Sequence, residues 1–337
     1  MAFQITIQPS GHTCTAAPGM PILRAALDAG LLLPYGCRNG ACGACKGRLV
    51  SGSIDYGDAD PSALSEADKT AGLALFCCAQ PLSDIVIESR ELAPESEFPV
   101  RTLPARVQKM ALLAPDVMVL SLKLPASERL QFLAGQYIEI LLKDGRRRAF
   151  SLANAPHEDG LLQLHVRRVP GGQFTGQVFE TMKERDILRF EGPHGDFFLR
   201  TGSAKPVILL AGGTGFAPIK AIVEQALHEG SERLMTLYWG ARDRTGLYLP
   251  ELPRQWAAAH PQFRYVEVLE DASDELDGTR HGLVHHAVLK DFPDLSDHQV
   301  YACGAPAMIA AAQRDFLAHQ LPEEEFFADA FSFAADR

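Results

Sequence analysis

Cys37-Arg38-Asn39-Gly40-Ala41-Cys42-Gly43-Ala44-Cys45 decides how the N-terminal third is read. A further cysteine pair, Cys77-Cys78, follows after an interval of 31 residues. The pattern C-x4-C-x2-C with a distant fourth thiolate is the spacing that holds two irons in a [2Fe–2S] cluster. Such a loop must fold tightly and aim backbone N–H groups at the sulfurs. Gly40 and Gly43 supply the conformational freedom for this. A zinc site more often shows paired C-x2-C knuckles or histidine ligands. No histidine lies between positions 12 and 157. The spacing therefore favours a cluster held by Cys37, Cys42, Cys45 and one of the adjacent pair Cys77 and Cys78. Cys14 is read as a small core residue.

The 337 residues suffice for two or three domains. About half are apolar (47%) and charge is moderate, as in a water-soluble globular chain. The formal net charge of −10 argues against nucleic acid and anionic membrane as partners. Residues 1–97 hold 6 basic against 11 acidic side chains, and the other 240 residues hold 26 against 31. Acidity is thus denser in the N-terminal third, which suits either a docking face for a basic partner or a solubilising surface. The start MAFQITIQ has no basic segment leading into an apolar one, so no export signal is expected. No apolar run reaches membrane-spanning length. Seven cysteines, four with ligand spacing, point to thiolate ligation in a reducing cytoplasm.

Two stretches read as boundaries. Glu91 to Pro104 is rich in acid and proline, which favours an extended linker. Arg200 to Pro206 is short and polar. The first segment reads as mixed α+β: a strand at 3–8, a helix from Ile22 to Ala29 closed by Gly30, and strands at 47–50 and 85–89. The second is strand-rich, at 117–124, 136–142, 147–152, 161–167 and 187–190, which suits an antiparallel barrel. The third alternates strand and helix. Strands fall at 207–211, 234–239, 265–269 and 300–304, with helices after Pro218 and from Ala307, as in a parallel doubly wound sheet. The expected domains are 1–93, 101–201 and 202–337.

Within the third segment, Ala211-Gly212-Gly213-Thr214-Gly215-Phe216-Ala217-Pro218 follows an apolar strand and opens a helix. Glycines there let backbone approach a pyrophosphate, and the helix start supplies partial positive charge. Arg242 and Arg244 follow the next strand, where a nucleotide 2′-phosphate could be read. Asp243 between them opposes that phosphate, so NADH is expected, with NADPH left open.

Several further motifs carry a family resemblance. Arg148-Ala149-Phe150-Ser151 resembles the R-x-[YF]-S flavin motif of the ferredoxin–NADP reductase superfamily. Gly172-Gln173-Phe174-Thr175 resembles its G-x-x-[ST] element, and Gly192 to Phe197 its G-P-x-G-x-F loop. Residues 211–218 resemble its GGTGxAP turn, and Cys303-Gly304-Ala305-Pro306-Ala307-Met308 its C-G-x-P-x-M element. Asp329-Ala330-Phe331 stands where many relatives carry E-x-F. Leu75 to Pro81 resembles the ferredoxin pattern L-x-C-x-A-x-P, which puts the fourth ligand at Cys77.

The resemblance covers nearly the whole chain. It is similar to the FAD/[2Fe–2S] reductases with an N-terminal plant-type ferredoxin domain, and most resembles the CDP-6-deoxy-Δ3,4-glucoseen reductase type. It implies a β-grasp ferredoxin domain, an antiparallel Greek-key FAD-binding barrel and a parallel-sheet NAD-binding domain. It implies FAD over FMN, because the family's G-x-x-[ST] element holds a flavin pyrophosphate. Arg148, Phe150, Ser151, His165, Arg167, Gly172, Gln173 and Thr175 would hold FAD. Gly212, Gly213, Thr214, Gly215, Pro218, Cys303, Gly304 and Phe331 would border the nicotinamide nucleotide. Ser151 and Cys303 would orient hydride transfer. The implied partner is a protein electron acceptor: a deoxysugar dehydrase, or alternatively the oxygenase of an aromatic-ring dioxygenase or di-iron monooxygenase. A carrier or redox sensor using the ferredoxin module alone would leave the flavin and nicotinamide motifs without a use.

Overall fold

Alternating apolar residues in Phe3–Gln8 (β1) place Ile5 and Ile7 on one buried face, as a half-covered strand requires. The computed structural model describes residues 2–91, 98–271 and 279–331. Residues 2–91 lie in one structural unit, and the remaining described residues form a second.

The first unit continues through Thr13–Ala16 (β2), helix Ile22–Asp28 (α1), Lys46–Ser51 (β3), Ile54–Asp55 (β4), helix Glu66–Thr70 (α2), Leu73–Leu75 (β5), Gln80–Pro81 (β6) and Ile85–Glu88 (β7). Five strands make a mixed sheet in the order β2-β1-β7-β3-β5. β1 runs parallel to β7, with Ile5 opposite Ile85, and the other neighbours are antiparallel. α1 buries Ile22, Leu23, Ala25 and Ala26, which share a core with Ile5, Ile7, Ile85 and Ile87. This is the β-grasp arrangement the resemblance implies.

The second unit begins with Arg101–Ala114 (β8), followed by Val117–Lys123 (β9), Tyr137–Leu141 (β10), Arg147–Ser151 (β11), Leu162–Arg167 (β12), helix Gln173–Glu180 (α3) and Ile187–His194 (β13). All pairings in the order β11-β10-β13-β8-β9-β12 are antiparallel. A bridge from Leu152 to Leu164 brings the two edge strands together, so the sheet closes into a barrel. Its core contains Leu103, Val107, Leu120, Ile138, Leu164 and Phe190.

The linker expectation is corrected at its C-terminal end. Residues 92–97 lie outside the described residues, but Arg101 to Pro104 belong to β8 and pair with β13, Pro104 opposite Arg189. β9 pairs with β8 only from Arg106 onward, so beside Pro104 one flank of the strand has no partner. A proline is tolerated in a sheet at such an edge.

The rest of the second unit comprises Val207–Gly212 (β14), helix Phe216–His228 (α4), Met235–Ala241 (β15), helix Glu251–Ala259 (α5), Phe263–Leu269 (β16), Arg280–His281 (β17), helix Val284–Asp291 (α6), Gln299–Gly304 (β18), helix Pro306–Ala318 (α7) and Phe326–Ala330 (β19). Six strands pair in parallel in the order β17-β16-β15-β14-β18-β19. Val207 to Ala211 are all buried, because a central parallel strand is covered on both faces. α4 starts at Phe216, two residues before the proline from which a helix was expected. Proline is accommodated in a helix's first turn, where its missing N–H has no partner to lose. No helix among the described residues is long and apolar enough to cross a membrane.

Candidate functional site

The cysteine loop lies in the first unit. Arg38, Gly40 and Gly43 all have positive φ, which curls the loop back on itself. The four expected ligands fall into two thiol pairs. Cys37 is hydrogen-bonded to Cys42, and Cys45 to Cys77. The N–H of Cys37 points at Cys42 Sγ and that of Cys77 at Cys45 Sγ, each at 3.4 Å. The Cys37 thiol is pulled down to about 5, first by the Cys42 thiol and then by the N–H groups of Asn39, Ala41 and Cys42. Among the described residues, no three cysteine sulfurs fall within 4.8 Å of one another. A single tetrahedral ion would need that clustering, whereas two pairs with N–H groups aimed at sulfur suit two irons. A cluster held there would exchange electrons one at a time. Cys78 Sγ lies 3.7 Å from Cys77 Sγ, and a Cβ at Gly40 would come within 2.6 Å of it.

The second unit brings the flavin and nicotinamide motifs together. Ser151 ends β11, opposite Tyr137 of β10, and is buried. Its Oγ donates to Asp329 Oδ2 at 3.4 Å. Asp329 sits on β19 opposite Cys303 of β18, whose Sγ lies 4.0 Å from the same oxygen. One carboxylate therefore joins the expected flavin-side hydroxyl to the expected nicotinamide-side thiol. Burial first, and then the Asp329 charge, push the Cys303 thiol up, so it stays protonated and neutral. Asp329 was missing from the candidate residues. Its signal was its place in the Asp-Ala-Phe stretch near the C-terminus. Phe331 follows it, half-buried against the core, and its N–H donates to Gly304 O at 2.8 Å.

The two Gly-rich elements open helices that have no side-chain cap. Gly172 is the residue before α3, and Gly215 the residue before α4. No side chain takes the leading N–H groups of α3 or of the single 3₁₀ turn, Gly213–Gly215, that runs into α4, whereas the Phe216 N–H is held within that turn by Gly213 O and Thr214 O. A Cβ at Gly172 would lie 2.5 Å from Thr175 Oγ1, which bonds back to the turn at Val169 and Gly172. A Cβ at Gly215 would fall 2.1 Å from the Cys303 carbonyl oxygen, so only glycine lets α4 pack this close to β18. Thr214 is buried beside it, and the Gly213 carbonyl accepts from Trp239 Nε1 at 3.0 Å. Phe216 stacks on that indole at 3.9 Å, and Pro218 is buried in the first turn of α4.

Arg167 leaves β12 toward this turn. A Cβ on Gly213 would lie 2.8 Å from Arg167 Nη1. Its Nε is buried without a hydrogen-bond acceptor, although the Asp116 carboxylate stands 3.3 Å away in a poor direction. An orphaned guanidinium nitrogen beside an uncapped, glycine-lined helix start fits a dinucleotide pyrophosphate. The other candidates are less convergent. Arg148 Nη1 donates to the Arg147 carbonyl on β11. Phe150 tilts against Phe174 at 5.2 Å. Gln173 accepts from Arg146. His165 is fully enclosed and shares a 2.8 Å hydrogen bond with Tyr248. Burial, and secondarily the Lys220 charge, lower its pKa to about 3, so this imidazole is neutral and engaged in packing.

Comparison with known proteins matches each part. Residues 5–82 match the 2Fe-2S iron-sulfur cluster binding domain, residues 104–199 the oxidoreductase FAD-binding domain, and residues 209–314 the oxidoreductase NAD-binding domain. The chain is 40% identical over 331 residues to the CDP-6-deoxy-L-threo-D-glycero-4-hexulose-3-dehydrase reductase of Yersinia pestis, covering 98% of this chain and 99% of that one. It is 40% identical over 337 residues to a terephthalate 1,2-dioxygenase reductase component of Comamonas sp., covering 98% of each. Among solved structures, the Amycolatopsis cytochrome P450 reductase GcoB aligns with a TM-score of 0.80 and 36% identity over 98% of both chains. Because this likeness runs end to end and takes in all three modules, the chain belongs to the iron–sulfur flavoprotein reductases, which carry electrons from a nicotinamide nucleotide through FAD and a [2Fe–2S] cluster to a partner.

Proposed function

We propose that the partner of this reductase is a protein of the CDP-6-deoxyhexulose 3-dehydrase class. The observation that carries this is the full-length, 40% identical Yersinia relative named for that system. The dioxygenase component of equal identity supports a second reading, in which the partner is an oxygenase. Single-turnover mixing of the NADH-reduced enzyme with each purified acceptor separates the two. Rapid cluster reoxidation by the dehydrase and not by an oxygenase component supports the first reading, and the reverse supports the second.

Cys37, Cys42, Cys45 and Cys77 are assigned as cluster ligands, on the support of their two-pair geometry. Ser151, Asp329 and Cys303 are assigned to the meeting point of flavin and nicotinamide. Bound FAD would accept hydride and release electrons singly. The protein contributes by fixing a hydroxyl, a carboxylate and a neutral thiol in place, so little reorganisation accompanies reaction. The Arg148, Phe150, Gly172 and Thr175 group is assigned to FAD, and the turn at 212–215 to the pyrophosphate of the nucleotide; Arg167, expected on the FAD side, is reassigned to that turn because its guanidinium reaches Gly213.

The preference for NADH rests on pairing. Ligands of open parallel sheets bind beyond the carboxyl ends of the strands. There, Arg244 Nη1 lies 3.6 Å from Glu267 and Arg242 Nε 3.7 Å from Asp271. A 2′-phosphate would have to displace carboxylates already facing both guanidinium groups. Asp243 caps the turn that follows, accepting from Gly246 N–H and Thr245 Oγ1. Module bounds of 1–93, 101–201 and 202–337 are assigned on the support of β8 starting at Arg101 and β14 at Val207. A cytoplasmic location is supported by seven cysteines, none in a disulfide.

A further inference from the structure

A cluster outside the flavin and nicotinamide motifs joins two helices of the second unit. His285 and His286 lie in the first turn of α6, and Asp315 lies on α7. His285 Nε2 is 3.3 Å from Asp315 Oδ2, and His286 Nε2 is 3.7 Å from the same oxygen. All three donor atoms lie within 4.8 Å of one another. Tetrahedral bonds of about 2.0–2.2 Å to nitrogen and oxygen would place ligand atoms roughly 3.3–3.6 Å apart. The spacing is thus close to that of a shared ion before any ligand moves.

His285 is the buried member of the cluster. It is only 3% exposed, and its Nδ1 is buried without a hydrogen-bond partner. Arg314 Nε bonds Asp315 through Oδ1, at 2.9 Å, and so approaches the oxygen opposite the histidines. The His286 side chain is 62% exposed, which leaves an outer position open to water.

We propose that His285, His286 and Asp315 bind a divalent transition ion of the zinc type, with water as the fourth ligand. Two imidazoles and one carboxylate favour zinc, nickel or copper over magnesium or calcium. The ion would clip α6 to α7. Val284 of α6 packs against Gly240 at the end of β15, where a Cβ would come within 2.8 Å of it, and α7 follows directly from Gly304 of β18. The clip therefore braces the two strand ends that frame the nucleotide turn, and acts on stability rather than on chemistry.

The test uses holoprotein with full FAD and iron content, dialysed against zinc at micromolar free concentration. Wild type is expected to retain one zinc per chain with iron content unchanged, and to melt at a higher temperature with zinc than without. The exposed ligand variant His286→Ala and the isosteric Asp315→Asn should each weaken zinc retention about tenfold or more and lose the melting shift. Both sit away from the motifs assigned to cofactors, so NADH oxidation with ferricyanide should be unaffected. Failure of wild type to retain zinc, or equal retention by both variants, overturns the proposal.

Discussion

Ser151 Oγ and Asp329 Oδ2 stand 3.4 Å apart although 178 residues separate them in sequence. The barrel supplies one and the parallel sheet the other. The same carboxylate oxygen lies 4.0 Å from Cys303 Sγ. Loss of either polar group should remove an oriented contact at the assigned hydride-transfer point. Ser151→Ala, Asp329→Asn and Cys303→Ala are each expected to slow stopped-flow flavin reduction by NADH about tenfold to a hundredfold. The Ser151→Ala/Asp329→Asn double variant should lose less than the product of the single effects, because the two side chains touch. The cluster's absorbance should stay unchanged. Wild-type rates in all three single variants would place the transfer point elsewhere.

His165 gives a pH dependence with a defined sign. Its pKa is about 3 in the folded chain and about 6.5 when unfolded. Between those values the unfolded state binds the extra proton, so this contribution to stability is present at neutral pH and lost as pH falls below about 6.5. Wild type should show a larger drop in FAD-release temperature between pH 7.5 and 5 than His165→Gln does. Parallel curves for the two proteins would mean that this imidazole does not couple folding to pH.

How much of this was legible in the sequence depends on distance along the chain. The cysteine loop and the 211–218 turn were readable because thiolate ligation and close backbone approach impose short, rigid spacings. β8 was missed altogether: its start was read as linker because Pro99 and Pro104 look like linker residues, and no strand was expected before position 117. Yet Leu103, Ala105 and Val107 alternate with exposed neighbours and are buried in the barrel, a pattern that marks a strand. Asp329 was noticed in the Asp-Ala-Phe stretch but given no role, for a different reason. The role assigned to it here comes from the register of β19 against β18, which sets it opposite Cys303, and no local pattern encodes that pairing.

Adjacent Cys77 and Cys78 make a sharp test of register. Cys77 pairs with Cys45, whereas Cys78 Sγ is directed against Gly40. Cys77→Ala should lose the cluster's visible absorbance and most of the iron. Cys78→Ala should retain both. The opposite pattern would move the fourth ligand by one residue.

The pairing of Arg244 with Glu267 and of Arg242 with Asp271 sets a specificity expectation. Removing one opposing surface charge is worth up to ~1 kcal/mol, or roughly fivefold in relative affinity. Asp271→Asn should therefore raise the NADPH to NADH ratio of kcat/KM by up to about fivefold, and adding Glu267→Gln should raise it further. Unchanged NADH turnover checks that the fold survives, since Glu267 also accepts from Arg254 at 2.6 Å. An unmoved ratio in the double variant would show that the 2′-position is read elsewhere.

Electron order can be tested by breaking the cluster alone. Hydride carries two electrons, while a [2Fe–2S] cluster takes one at a time, so the flavin must stand between nucleotide and cluster. The cysteine loop and the hydride-transfer residues belong to separate structural units. Damage at Cys45, which is buried in the first unit and pairs with Cys77, should leave the Ser151–Asp329–Cys303 arrangement intact. Cys45→Ser is thus expected to keep most NADH-driven ferricyanide reduction, because a small acceptor can draw electrons at the flavin. Reduction of cytochrome c or of a protein acceptor should fall by at least tenfold. FAD content measured on the same preparation guards against simple unfolding. Equal loss of both activities in a variant that still carries FAD would mean that electrons reach ferricyanide only through the cluster, and the proposed order would be wrong.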